Sequence, residues 1–251
     1  KLLMERMGCS PIFITPMHSA GNGLAERTIG SGTRRVDPDK IKAVKQLQRP
    51  QNKKQVRQIL GLFSWFRDYI PAFAEHARVL TELTSKRVSN PIPWSDKCQN
   101  SFTCLQNLLC DAVDRPLHVI DWTRPFNLYS DASDYCVVGA LSQTDTNGKE
   151  MPIAFYSKKL NSTQRAWATI HKEAYAVLEG LRKFRHWIFG YNINVFSDHN
   201  PLKFVTESAP ASAKLTRWTL ALQEYDLSFH YKPGASDAMA VPDCLSRLGP
   251  E

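Results

Sequence analysis

The stretch FNLYSDASDYCVVGALSQ, residues 126–143, alternates apolar and polar side chains as far as Asp131, then passes through a polar break into an apolar run. Such a pair reads as two β-strands, at 126–131 and 136–142. A third strand fits residues 153–157, with 145–148 as the turn between the second and the third. From Gln164 to Ile188, the side chains of Trp167, Ile170, Ala174, Val177, Leu178, Leu181 and Ile188 fall within a stripe of about a quarter turn at about 100° per residue. This is the mark of a long amphipathic helix. It is expected to stop near Gly190, after which residues 193–197 alternate as a strand running into Asp198. A helical stretch after Pro201, a strand at 227–231 closed by Lys-Pro-Gly, and a short helix from about Asp243 complete the series. The order of elements predicts an α/β fold with a mixed sheet of about five strands flanked by helices.

That order also gathers acidic residues. Asp131 and Asp198 each end a strand, and a right-handed crossover through the long helix would lay those strands parallel, with both carboxylates at one sheet edge. Glu173 falls about 20° outside the apolar stripe, at the rim of the helix. Asp243 opens the last helix and is the fourth candidate. Clustered carboxylates repel one another and persist where cations neutralise them. Hard oxygen ligands favour Mg2+ or Mn2+, and two such ions suit hydrolysis of a phosphodiester. Each residue alone has an ordinary reading, as a turn residue, a cap or a solvated side chain. Their joint order carries the metal reading.

Upstream the character changes. Residues 34–87 hold 13 Lys or Arg against 5 Asp or Glu, which accounts for the whole net charge of +8. A basic segment of this kind suits a polyanion such as nucleic acid, or is simply a solvated face. Short amphipathic helices are expected from Asp37 to Pro50, 53–69, 73–85 and 95–109, the last opening at a Ser-Asp cap. Residues 1–31 show no helical period and read as a fragment. The six cysteines include no C-x-x-C pair, which argues against zinc and against a disulfide framework. No apolar run reaches the roughly 20 residues of a membrane span, so a soluble protein of a reducing, intracellular compartment is expected. Trp65, Trp167, Trp187 and Trp218 either stack on bases or pack in the core, and their helical spacing favours the core.

The segments YSDASDYCVVGALSQ, PIAFYSKKLNSTQRAWATIHKEAYAVLEGLRKFRHWIFG, VFSDHNPLKF, RWTLALQEYDLSFHYKPG and VPDCLSR together resemble the ribonuclease H domain of gypsy-class LTR-retrotransposon polyproteins. The resemblance covers nearly all of 122–248 and implies an RNase H-like domain over 122–251. It implies two ions of Mg2+ or Mn2+ held by Asp131, Glu173, Asp198 and Asp243, and an RNA/DNA hybrid as substrate. Residues 32–121, with VDPDKIKAV, LGLFSWFRDYIPAFA and IPWSDKCQNSFTCLQNLL, are similar to the helical thumb and connection region of a reverse transcriptase. TPMHSAGNGLAERTIGS, within residues 1–31, is similar to the end of an integrase core in which Glu26 would be a metal ligand. The two upstream aspartates of that triad have no counterpart, so Glu26 is expected to be idle. The palm motif of a polymerase is also missing. The resemblance implies a cytoplasmic, virus-like-particle or nuclear location. A catalytically inactive remnant that only binds nucleic acid is the alternative.

Overall fold

The computed structural model describes residues 26–29, 32–197 and 213–231. Its centre is a five-stranded mixed sheet. The strands are β4 (Phe126–Ala132), β5 (Cys136–Thr144), β6 (Glu150–Lys159), β7 (Asn192–Ser197) and β8 (Asp226–Tyr231), in the order β6-β5-β4-β7-β8. Neighbours β4, β5 and β6 pair antiparallel, whereas β7 lies parallel to both β4 and β8. The mixed sheet expected from the sequence is therefore present, including the parallel β4/β7 pair. The β5–β6 hairpin turns at Asp145, whose Oδ1 accepts the amides of Asn147 at 2.7 Å and Lys149 at 2.8 Å. Gly148 completes the turn at φ 81°, a left-handed conformation that glycine adopts without steric cost.

Two helices follow β6 in sequence, and the second packs against the sheet. The first, α6 (Ser162–Arg165), is a single turn closed by a capping box. Asn161 Oδ1 accepts the Gln164 amide at 2.9 Å and Gln164 Oε1 accepts the Asn161 amide at 2.9 Å. The second, α7 (Thr169–Ile188), is the long helix. The sequence pattern predicts one continuous helix from Gln164. The capping box instead starts and finishes a turn of its own, and Ala168 is extended (ψ 148°), so the chain restarts at Thr169. Ala174, Val177, Leu178, Leu181 and Ile188 are buried as the stripe requires, against Phe126 and Leu128 of β4 and Val137 and Leu141 of β5. Helix α8 (Ala213–Gln223) adds Leu215, Trp218 and Leu222 to the same core.

The N-terminal half is mainly helical, with α1 (Pro38–Lys45), α2 (Lys53–Trp65), α3 (Phe73–His76), α4 (Arg78–Leu83) and α5 (Asp96–Asp111) around a second core of Val56, Phe63, Leu80, Phe102, Leu105 and Leu109. Side chains cap two of these helices, Asn52 on α2 and Ser95 on α5. The helix expected at 53–69 ends at Trp65 and continues as a 3-10 turn, Arg67–Tyr69. The one expected at 73–85 divides at Ala77 into α3 and α4, after a left-handed Ala72 at φ 45°. Strand β1 (Glu26–Ile29) pairs with β2 (Thr33–Val36), and β2 with β3 (Leu117–His118). Residues on either side of position 31 are thus joined in one small sheet, which sequence patterning does not anticipate.

The two halves meet along β6. Arg67 Nη2 donates to the Ser157 carbonyl at 2.6 Å, the Ala74 amide donates to Ser157 Oγ at 2.9 Å, and Lys183 pairs with Asp68 at 3.1 Å. One flank of the sheet is covered by the helical half and the other by α7. This explains why residues 136–143 are buried without interruption. Among the described residues no helix is long and apolar enough to cross a membrane.

Candidate metal and nucleic-acid site

Asp131 is the penultimate residue of β4, where the strand runs out of the sheet. One carboxylate oxygen, Oδ1, accepts the amide of Ala132 at 2.7 Å, which fixes how the group is turned. Glu173 lies in the second turn of α7 and is only 2% exposed. A place at the rim of the helix would leave it partly solvated. Instead α7 is buried around its whole circumference from Lys172 to Leu178, between the sheet and α8, so Glu173 is enclosed with the rest.

Tyr156 is wedged between the sheet and α7. Its ring stands between Gly139 of β5 and Gly180 of α7, and its hydroxyl donates to the Ala176 carbonyl at 2.7 Å. A side chain at either glycine would collide with that ring, so two glycines and one tyrosine set how closely α7 lies on the sheet. The Tyr156 phenol is held well above its usual range, first by complete burial and then by the negative charges of Glu173, Glu179 and Asp131. Both candidate carboxylates therefore act on one buried group. Asp131 is likewise among the charges that, after burial and Glu75, push the Cys136 thiol up.

Asp198 and Asp243 lie outside the described residues. The register of β4 and β7 sets Tyr129 beside Phe196, with stacked rings 4.7 Å apart, and each of these residues precedes an aspartate by two positions. Among the described residues no three His, Cys, Asp or Glu side chains are grouped to hold a metal. Of the four candidates, the described pair is Asp131 and Glu173. The side chain of Glu26 is also outside the description, although its backbone belongs to β1.

A buried lysine, which sequence reading misses, borders the pair. Lys172 is 4% exposed, and its ammonium reaches Asp134 Oδ1 at 2.6 Å, tying the β4–β5 loop to the residue next to Glu173. That ion pair holds the Asp134 carboxyl below its usual range. Of the four tryptophans weighed for stacking, Trp218 is buried and Trp167 and Trp187 pack against the core, as their spacing favours. Trp65 departs from it and is 50% exposed. It ends the open side of α2, which also carries the exposed Lys54, Arg57, Gln58, Gly61 and Leu62.

A strand-end aspartate and a buried helix glutamate beside a β-β-β-α-β sheet of this order define an RNase H-like domain. Residues 121–225 match the RNase H-like domain found in reverse transcriptase. The chain belongs with the Pol polyproteins of gypsy-class retrotransposons. It is 35% identical over 227 residues to the retrovirus-related Pol polyprotein from transposon opus of Drosophila melanogaster, covering 86% of this chain and 22% of that protein. To the polyprotein from transposon gypsy of the same organism it is 33% identical over 221 residues, covering 84% and 21%. The chain thus spans about a fifth of the length of these curated relatives. The fold is shared with the foamy viral protease-reverse transcriptase. In its complex with double-stranded DNA the TM-score is 0.69 at 22% identity, covering 84% of this chain and 38% of that one. In its complex with an RNA/DNA hybrid the TM-score is 0.68 at 22% identity, covering 85% and 30%.

Proposed function

We propose that this chain hydrolyses the RNA strand of RNA/DNA hybrids, as the ribonuclease H part of a reverse transcriptase. The observation that carries the proposal is the burial of Glu173 on α7, the helix packed on β4, whose end carries the acid Asp131. Burying an ionised carboxylate is costly unless positive charge compensates it. Two hard oxygen donors of this kind fit Mg2+ or Mn2+. In this reading Asp131, Glu173, Asp198 and Asp243 hold two such ions. When bound, the ions would supply an activated water and charge stabilisation at the leaving oxygen.

The protein's own residues do the positioning. The Ala132 amide fixes the Asp131 carboxylate, the Tyr156 ring sets the height of α7 and so of Glu173, and Lys172 anchors the adjoining loop through Asp134. Residues 32–121 act as a thumb and connection region. The basic segment 34–87 grips the phosphates, and the open side of α2, with Lys54, Arg57, Gly61 and Trp65, faces the nucleic acid. DNA synthesis is not part of the proposal, since the palm motif is missing from this sequence, and Glu26 plays no part in cleavage.

Melting the protein with and without Mg2+ tests the metal half of this reading. The ions should raise the melting temperature of the parent, because binding to the native state alone stabilises it. Asp131→Asn should lose most of that rise, and in EDTA it should melt no lower than the parent, since one repelling charge has gone. An equal Mg2+ effect on both proteins would remove Asp131 from the site.

A further inference from the structure

Tyr135 occupies the loop between β4 and β5, four residues after Asp131. It is 3% exposed and its backbone is pinned, the carbonyl accepting the Leu160 amide at 2.8 Å and the amide donating to Ser133 Oγ at 3.2 Å. Three cations from three separate elements gather round its ring. Arg78 Cζ of α4 lies 4.6 Å from the ring centroid, Arg165 Cζ of α6 4.7 Å, and Lys159 Nζ at the end of β6 5.1 Å. No two of these charges can be further apart than about 10 Å, roughly one Debye length at about 0.1 M salt. Their repulsion is therefore only partly screened, and the ring quadrupole offsets part of it.

Little else neutralises them. Arg78 touches Glu75 at 3.8 Å and Glu82 at 3.6 Å, both loose pairs along the chain at an exposed site, and such pairs contribute little. Lys159 and Arg165 are exposed and form no ion pair among the described residues. The Tyr135 hydroxyl, buried beneath these side chains, has no hydrogen-bond partner in the structure. Three concentrated positive charges, two of them without an ion pair among the described residues and the third held only by loose exposed pairs, gather on a rigid aromatic ring and match the fork geometry and charge density that bind phosphate.

We propose that Arg78, Lys159 and Arg165, gathered round Tyr135, form a phosphate-binding cluster that takes a backbone phosphate of the bound nucleic acid beside Asp131. The inference rests on the nucleic-acid reading above and adds to it a specific anchor point shared by both halves of the chain. Four residues of chain reach at most about 14 Å. The Lys172–Asp134 pair, one residue from Tyr135 and one from Glu173, couples the two places. Because Arg78 belongs to the helical half, the cluster fixes the register of the nucleic acid across the junction. Phosphate binding of this kind positions a substrate without reading its sequence.

The test is binding of a fluorescent RNA/DNA hybrid in EDTA, followed from about 50 to 200 mM salt. The proteins compared are the parent, the triple variant Arg78→Gln, Lys159→Gln, Arg165→Gln, and a control, Lys97→Gln, on the exposed face of α5. The triple variant should bind at least about 10-fold more weakly, with a salt slope shallower by about one for each phosphate it no longer neutralises. The control should match the parent. Melting curves show whether the triple variant is folded. A second measurement compares linkages within each protein: among hybrids with single neutral methylphosphonate linkages, at least one linkage that weakens binding by the parent should cost the triple variant nothing more, while the others cost both proteins alike. If the parent binds with a steep salt slope but the triple variant and the linkage series are unchanged, the cluster is wrong and the nucleic-acid reading stands. If the parent shows no salt-dependent binding at all, that reading fails and the cluster with it.

Discussion

Asp131→Asn will bind an RNA/DNA hybrid as tightly as the parent and cut it on the order of 100-fold or more slowly. Asparagine keeps the size and shape of the side chain and can still accept the Ala132 amide through its carbonyl oxygen, so β4 should be undisturbed. What disappears is one negative charge at the strand end. A site built of carboxylates holds cations through that charge, and losing one ligand misplaces the water as well as weakening the metal. Binding should persist because the phosphates are held elsewhere, by the basic segment and its arginines. The readouts are single-turnover cleavage and anisotropy on one labelled hybrid. Parental cleavage by Asp131→Asn would remove the residue from the site, whereas loss of binding would mean that Asp131 holds the substrate rather than the metal.

The largest effect on stability is expected from Gly139→Ala. A Cβ there would overlap the Tyr129 carbonyl oxygen and Tyr156 Cε1. The first of these atoms is backbone in the neighbouring strand, and the second belongs to a ring buried beneath α7. Neither can yield cheaply, so the cost should be about 3 kcal/mol or more, a lowering of the melting temperature by roughly 6–12 °C. Gly180→Ala is the informative contrast. Its Cβ would meet only the Tyr156 ring and hydroxyl, at 2.9–3.0 Å, and alanine gains about 1 kcal/mol of helix propensity over glycine. It should destabilise far less. Calorimetric melting of both variants decides this. A Gly139→Ala protein that melts within a degree of the parent would show that Tyr156 is not wedged between sheet and helix.

Much of the sheet is legible in the sequence because its strands obey simple periods. The alternation from Phe126 to Asp131 marks β4, and Phe126 and Leu128 are buried as it requires. The apolar run at β5 reads as a strand and is one, and its unbroken burial comes from cover on both faces, which belongs to the whole molecule. Helix ends are less legible. The capping box at Asn161 and Gln164 is written in the sequence but lies inside a longer apolar stripe, which hides the break before Thr169. Asp131 and Glu173 can be picked out because a strand end and a helix rim follow from counting residues. The burial of Glu173 cannot, since it depends on how closely α7 settles on the sheet, which residues of separate elements set. The Gly139–Tyr156–Gly180 wedge and the cations on Tyr135 escape for the same reason. Each joins residues from elements whose adjacency only the finished fold creates.

The central claim, that carboxylates at this sheet edge make a metal-dependent nuclease for hybrids, is tested most directly by incubating the protein with a hybrid labelled on both strands, in Mg2+ and in EDTA. The account predicts that the RNA strand is shortened in Mg2+, that the DNA strand stays whole, and that EDTA stops the reaction. Intact RNA after prolonged incubation in Mg2+, with a protein that is folded and binds the hybrid, would contradict it.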